Sequence, residues 1–363
     1  MPNTLTTTYQ IMHQDQCVAT IDETGHAKVL EPAFMPYNLY LEEEDDVDTL
    51  VNNLMNFNYW CASRVLTLDR KYAKEILNSI GMSQAVTDRE RAKIALSYRC
   101  LSLTDVFWVR RAGENITFSD VNLYENHLEN TFIDISLRGK QYSVQNEALA
   151  RDLSTNGCFP KAWRRMEDGF WLLKDGDADA VERELLASQI CRCFDVDQVL
   201  YERDYFDGEK VSISKNFTSE NFSIVSMENF EIYAANQEIN AKEAVLKLDA
   251  KNYYMMNVVD YLMGNTDRHW GNWGMLVDNR TNQPVSLHKL MDFNQSFLSY
   301  DTIEGSNCQT LFGKRGTQKE AAMEAVRKIG LNQINEVERS CFSELPQYYE
   351  MFCKRLEVVK GML

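Results

Sequence analysis

The sequence is short of several features, and each shortage removes a class of function. No apolar stretch reaches the roughly 18 residues a membrane-spanning helix needs, and the start, MPNTLTTTYQIMHQDQ, lacks a basic segment followed by an apolar run. A soluble, cytoplasmic protein is expected. Positive charge is scarce, with 38 Lys and Arg against 54 Asp and Glu and a formal net charge of −16. An acidic body repels a phosphate backbone and no basic stripe interrupts it, so direct nucleic-acid binding is not expected. The five histidines (13, 26, 127, 269 and 288) include no i, i+4 pair, which removes the zinc-hydrolase reading. Nine cysteines make an odd number with no paired framework and read as reduced thiols. Cys191 and Cys193 sit close together without a second cluster to complete a zinc site, in an apolar helical pattern that suits buried thiols.

What is present is ordinary globular composition: 363 residues, 44% of them hydrophobic, enough for a sizeable core divided into two or three modules. Residues 8 to 30 alternate and carry turn residues (Asp22, Gly25), which predicts short strands, ended by Pro32 and Pro36. The acidic run Glu42 to Asp48 precedes Leu50, Val51, Leu54 and Met55, placing acids at a helix N-terminus. Helical spacing continues to about residue 103, and Val106 to Val109 reads as a strand. Strands and turns dominate from about 140, and helical spacing returns after about 240.

The informative stretch is YLMGNTDRHWGNWGMLVDNRTNQPVSLHKLMDFNQSF, residues 261 to 297. Met255, Met256, Val259, Leu262 and Met263 recur at helical spacing, and Gly264 is placed to end that helix in a left-handed conformation. A polar loop, Asn265 to Trp270, follows. Trp273 to Val277, the turn DNRTNQ and Val285 to Met291 then predict a β-hairpin. Asn272 and Asp292 are equidistant from Asn282 in that turn, which sets them across from each other at the hairpin's open end, about 5 Å apart. A carboxylate and an amide oxygen so placed suit one hard cation such as Mg²⁺, which takes one or two carboxylates plus substrate phosphates. Asp267, five residues before Asn272, faces the same point. Kinases divide the labour this way, a loop Asp taking the acceptor hydroxyl's proton while an Asn and a later Asp hold the metal. Any one of the three alone reads as a turn residue; all three in order, around an apolar hairpin, point to chemistry. His269 beside Asp267 is suited to orienting the loop through a hydrogen bond.

NTDRHWGN followed by MDFNQS resembles the catalytic and metal-binding motifs of the HipA-like serine/threonine kinases, and LSLTDVFWV at 101 to 109 is similar to a segment of a clostridial-type branch of them. The resemblance covers residues 150 to 300 best. It implies an α+β, bilobal protein-kinase-like fold, with residues 1–140 an N-terminal α/β extension, 141–225 a β-rich nucleotide-binding lobe and 226–363 a helical catalytic lobe. It implies ATP and Mg²⁺ as cofactors. Ser154-Thr-Asn-Gly157-Cys-Phe-Pro-Lys161 resembles the family's phosphate loop, so Ser154, Gly157 and Lys161 become ATP-binding candidates, with Ser154 a site of self-phosphorylation. Lys174, ending the strand Phe170-Trp-Leu-Leu-Lys174, stands where the family holds the ATP phosphates. Asp177 or Asp179 caps the next helix, and Glu184, with Glu182 as its alternative, takes the place of the kinase helix glutamate. The partners implied are a protein substrate with a Ser/Thr acceptor and an antitoxin or other DNA-binding protein, in the setting of a toxin–antitoxin system. Two other readings share the motif: a small-molecule phosphotransferase of the antibiotic-kinase type, and a pseudokinase that binds nucleotide or a partner without transferring phosphate.

Overall fold

The structure, a computed structural model, describes residues 7–65, 87–125, 160–176 and 178–363. The chain divides into two compact units, one of Met1–Lys174, Asn216–Ser223 and Asp278–Gln283, the other of Asp175–Lys215, Ile224–Val277 and Pro284–Leu363.

In the first unit the predicted N-terminal strands form as β1 (Thr8–His13), β2 (Gln16–Asp22) and β3 (Ala27–Val29), joined by β4 (Phe107–Arg111) in an antiparallel sheet of order β3-β2-β1-β4. Alternation along β1 sends neighbours to opposite faces. Ile11 enters a core with Phe57, Trp60 and Tyr98, while Met12 joins Leu101, Trp108, Phe118 and Phe170. The sheet is thus covered on both faces. Helix α1 (Val47–Ala62) starts where the acids predict, with Asp46 as cap accepting from Thr49 N at 3.0 Å. Its buried face includes a polar residue. Asn53, Phe57 and Trp60 face inward, and Val51 and Met55 face out. The reason is Asn53, whose amide donates to Gly25 O at 3.0 Å and Glu42 O at 2.8 Å and whose oxygen accepts from Glu42 N, fixing the helix rotation. Helix α2 (Asp88–Ser97) begins with a Thr87–Glu90 capping box and packs on α1. A short helix, α3 (Phe118–Val121), follows β4. Arg64 closes this layer with a two-pronged pair to Asp105 at 2.7 and 2.9 Å.

The hairpin of β5 (Lys161–Met166) and β6 (Gly169–Lys174) also belongs to the first unit. Its register sets Lys161 directly opposite Lys174, and directly opposed residues project from the same face, so the two predicted phosphate lysines lie side by side. Both are buried. Ser154, Gly157 and Asp177 lie outside the described residues.

The second unit opens with α4 (Ala178–Cys191), packed on the hairpin β7 (Tyr201–Phe206) and β8 (Glu209–Lys215). Strands β9 (Phe222–Ser226), β10 (Gly274–Asp278) and β11 (Gln283–Leu287) form a sheet of order β11-β10-β9. Helix α5 (Met227–Asn236) leads to the long α6 (Ala241–Met263), and α7 (Gln318–Ile329) and α8 (Tyr349–Lys360) complete the helical part. Asp249 breaks the helical angles inside α6; its carboxylate accepts from Asn252 N at 3.1 Å, restarting the helix, and from Leu287 N at 3.1 Å, fixing the end of β11. Gly264 ends α6 at φ +60°, as its position predicts, and a Cβ there would lie 2.7 Å from the Tyr300 ring and 2.9 Å from Arg355. Arg355 of α8 is fully buried between the rings of Tyr261 and Tyr300 and donates to Tyr261 O at 2.7 Å and Thr302 O at 2.8 Å, which pins α8 to the end of α6.

His13 is the one histidine of the first sheet's core. It is 3% exposed, edge-on to Phe34 and Phe107, and burial pulls its pKa down to about 4 against the weaker upward pull of Asp105. A folded-state value below the unfolded one means that between pH 6.5 and 4 the unfolded chain binds the proton first. Stability from this group is therefore complete above pH 6.5 and falls by about 3 kcal/mol as the pH drops to 4. Buried His288, shifted the same way, adds a slope of equal sign. Thermal unfolding followed from pH 7 to 4 should show the combined loss, and His13→Leu should flatten it by its own share; an unchanged slope in the variant would refute the assignment.

Candidate active site

The site grows out of the C-terminus of α6. Asp260 stands in an otherwise apolar turn, Val258-Val259-Asp260-Tyr261-Leu262, and is 5% exposed. A carboxylate so buried needs a partner. It has Arg268, eight residues on and 3% exposed, with Nε to Oδ2 at 2.9 Å and Nη2 to Oδ1 at 3.2 Å. Burial alone would lower the guanidinium's pKa, but the Asp260 charge and hydrogen bonds outweigh it and the net shift is upward.

The remaining prong of Arg268 sets the site's geometry. Nη1 donates to Asn272 O at 2.9 Å and to Met291 O at 2.6 Å, and the guanidinium lies over the Phe293 ring at 5.4 Å. One side chain thus joins the helix, the loop and the segment that carries Asp292. Here the observed hairpin departs from the predicted one. The ladder ends at Leu287, with His288 N still donating to Gly274 O at 2.9 Å, and Leu290 turns away to exchange hydrogen bonds with Asp197 and Val199 at 2.8 Å each. Asn272 and Asp292 therefore do not face each other as a strand pair; Arg268 gathers their backbones instead.

Within the loop, Asn272 Nδ2 donates to Asp267 O at 2.7 Å and lies 3.5 Å from Oδ2 of the same residue, while Asp267 N donates to Asn265 Oδ1 at 3.2 Å. Asn265 also donates to Asp260 Oδ1 at 3.2 Å and Asp292 O at 3.4 Å. The carboxylate of Asp267 remains 43% exposed, open to a substrate. His269 Nδ1 accepts from Gly271 N at 3.0 Å, which leaves the ring proton on Nε2, 3.9 Å from Asp267 Oδ1. A Cβ at Gly271 would meet the His269 ring at 2.8 Å, so a glycine is required for this orientation. Asp292 sits at φ +58°, an uncommon conformation that Asp tolerates, with its N–H donating to Tyr201 OH at 3.1 Å.

Two further segments brace the loop. Gln309 Nε2 donates to Thr266 O at 2.9 Å, Trp270 Nε1 to Gln309 O at 2.8 Å and Gln318 Nε2 to Asn265 O at 2.6 Å. Arg183 of α4 donates through Nε to Asn294 O at 3.2 Å. On the same helix Glu182 is held by Arg203 at 2.5 Å and Lys210 at 3.0 Å, whereas Glu184, 1% exposed, accepts from Ser212 Oγ. Both candidates for the helix glutamate are buried, Glu182 in an ion-pair cluster and Glu184 against Ser212.

The donor set fits a hard cation. The Asn272 amide nitrogen is committed to Asp267 O, which orients Oδ1 away from it, and Asp292 supplies a carboxylate. Asp260, Asn265 and Arg268 are what sequence reasoning missed. The signal available was a lone acid in an apolar helix turn, which requires a buried cation nearby. Arg268→Ala leaves that acid unpaired and should cost about 3–5 kcal/mol in denaturant unfolding, whereas Arg268→Lys should keep most of the stability but lose the bridge to Asn272 O and Met291 O. Equal stability of Arg268→Ala and wild type would remove Arg268 as the anchor.

No family model matches the sequence, and no curated protein does. Solved structures do. HipA of Shewanella oneidensis MR-1, solved with HipB and operator DNA as a toxin–antitoxin system, aligns over 98% of this chain and 91% of its own at a TM-score of 0.55 and 11% identity. The Helicobacter pylori proinflammatory kinase CtkA aligns over 57% of this chain and 90% of its own, at a TM-score of 0.45 and 15% identity. The chain has a HipA-like kinase fold.

Proposed function

We propose that the chain is an ATP- and Mg²⁺-dependent phosphotransferase acting on a serine or threonine hydroxyl of a protein. The observation that carries this reading is the pinning of Asn272 on Asp267 by its amide, together with the Arg268 bridge that ties both to the segment before Asp292. In this reading Asp267 accepts the acceptor hydroxyl's proton and orients its oxygen for in-line attack. His269, with its Nε2 proton toward Asp267, helps to aim that carboxylate. Asn272 Oδ1 and the Asp292 carboxylate would hold Mg²⁺, which would supply positive charge against the charge that develops in phosphoryl transfer. Lys161 and Lys174, side by side on one face of their hairpin, bind phosphate, and Glu184 takes the helix-glutamate role. Ser154 and Gly157 complete the phosphate loop in this reading, with Ser154 a target of self-phosphorylation. A cytoplasmic toxin role with an antitoxin partner follows by analogy with the HipA relative, which was solved with HipB.

Intact mass after incubation with Mg-ATP, with ATP turnover in the presence of a cell lysate and of small hydroxyl acceptors, tests the reading. Wild type should gain about 80 Da or label a lysate protein, and Asp267→Asn should lower the rate about 10²- to 10⁴-fold without lowering the melting temperature. ATP binding with no transfer to any acceptor would overturn it in favour of a pseudokinase, and transfer to a small molecule alone would move it to the antibiotic-kinase type.

A further inference from the structure

Helix α1 keeps a row of large apolar side chains on its outer face. Val47, Val51, Met55 and Tyr59 are 74, 50, 63 and 41% exposed. Their spacing, i, i+4, i+8 and i+12, makes them one continuous ridge, of the kind two helices interlock when they cross at about −50°. Tyr40, 44% exposed, flanks the ridge, its carbonyl accepting from Asn56 Nδ2 at 3.0 Å. Scattered exposed apolar residues need no explanation. A ridge along a whole helix differs, because the opposite face of α1, with Phe57 and Trp60, already fills the core and the fold gains nothing from the outer one.

The chain segment that carries the ridge has charge of one sign. From residue 29 to residue 63 the chain contains no Lys or Arg, while six acids fall between Glu42 and Asp48. Asp46 is used as the cap, Glu42 takes the Tyr40 hydroxyl and Glu43 accepts from Val29 N. Glu44, Asp45 and Asp48 are exposed at the N-terminal end of the ridge.

We propose that this face of α1 docks an amphipathic helix of a basic partner protein, whose apolar i, i+4 residues settle on the Val47–Tyr59 ridge and whose Lys or Arg residues meet Glu44, Asp45 and Asp48. Charge selects this occupant over a second copy of the chain. A parallel self-crossing faces the two acidic ends against each other, and an antiparallel one leaves both unmatched, because no basic residue lies along the ridge. The inference does not rest on the phosphotransferase reading.

The test uses the full chain and a fluorescein-labelled peptide of about 18 residues, long enough to form helix, with Leu on one i, i+4 ridge and Lys and Arg around it. A control peptide of the same composition scatters the Leu residues around the helix. Anisotropy titrations at low and raised salt are run on wild type, Val51→Asn with Met55→Gln, and Glu44→Gln with Asp45→Asn and Asp48→Asn. Light scattering reports mass, and circular dichroism confirms that these exposed substitutions leave the fold intact. The expected result is one peptide per chain, with binding weakened about tenfold or more by either set of substitutions and by scattering the Leu residues. Unchanged binding by Val51→Asn with Met55→Gln would overturn the proposal, since the peptide would then be held elsewhere on the acidic surface. So would no binding, or a wild-type dimer that these two substitutions dissociate.

Discussion

The second unit is organised around one buried ion pair. Asp260 and Arg268 lie in a region from which water is excluded, and each would be strongly destabilising without the other. Because a guanidinium is a planar fork with donors on two edges, it can satisfy Asp260 with one edge and still reach two carbonyls with the other. Lysine's single ammonium has no such second edge. The loop, the helix and the segment before Asp292 are thus held in register by a group that neither titrates nor swings, and the Asp267 carboxylate stands half-exposed on the same loop.

Around this pair the bracing comes from distant parts of the unit. Gln309, Gln318 and Trp270 fix the loop backbone through carbonyls of Asn265, Thr266 and Gln309, and the Asn272 amide adds its own tie to Asp267 O. Arg183 does the same for the segment after Asp292. A loop braced in this way keeps the half-exposed Asp267 carboxylate accessible and fixed in direction.

Much of this was legible in the sequence, and the parts that were not share a cause. The early strands, the capped start of α1 and the stop at Gly264 are local signals, a period, an acid run, a glycine after an apolar helix, and each appears where it was expected. The extent of β11 was misjudged because Leu290 alternates as a strand residue should, yet finds its backbone partners in the 197–199 segment rather than in β10. The outward turn of Val51 and Met55 carries no local signal, because Asn53, polar by type, is the buried residue and is satisfied by Gly25 and Glu42. Arg268 reads as a surface residue until Asp260 is placed beside it. In all three cases a nonlocal partner outweighed the local preference.

Asp249 and Asp260 give α6 a further property. They are eleven residues apart, and the helical stretch that restarts after Asp249 rises roughly 16 Å along its axis before it reaches Asp260. One takes Leu287 N at the end of β11 and the other takes Arg268. The helix between them acts as a ruler that sets the interval between strand end and loop. Inserting or deleting one residue in that span would rotate one carboxylate by about 100° relative to the other and release one of its partners. The interval, rather than the residues that fill it, is what these two contacts fix.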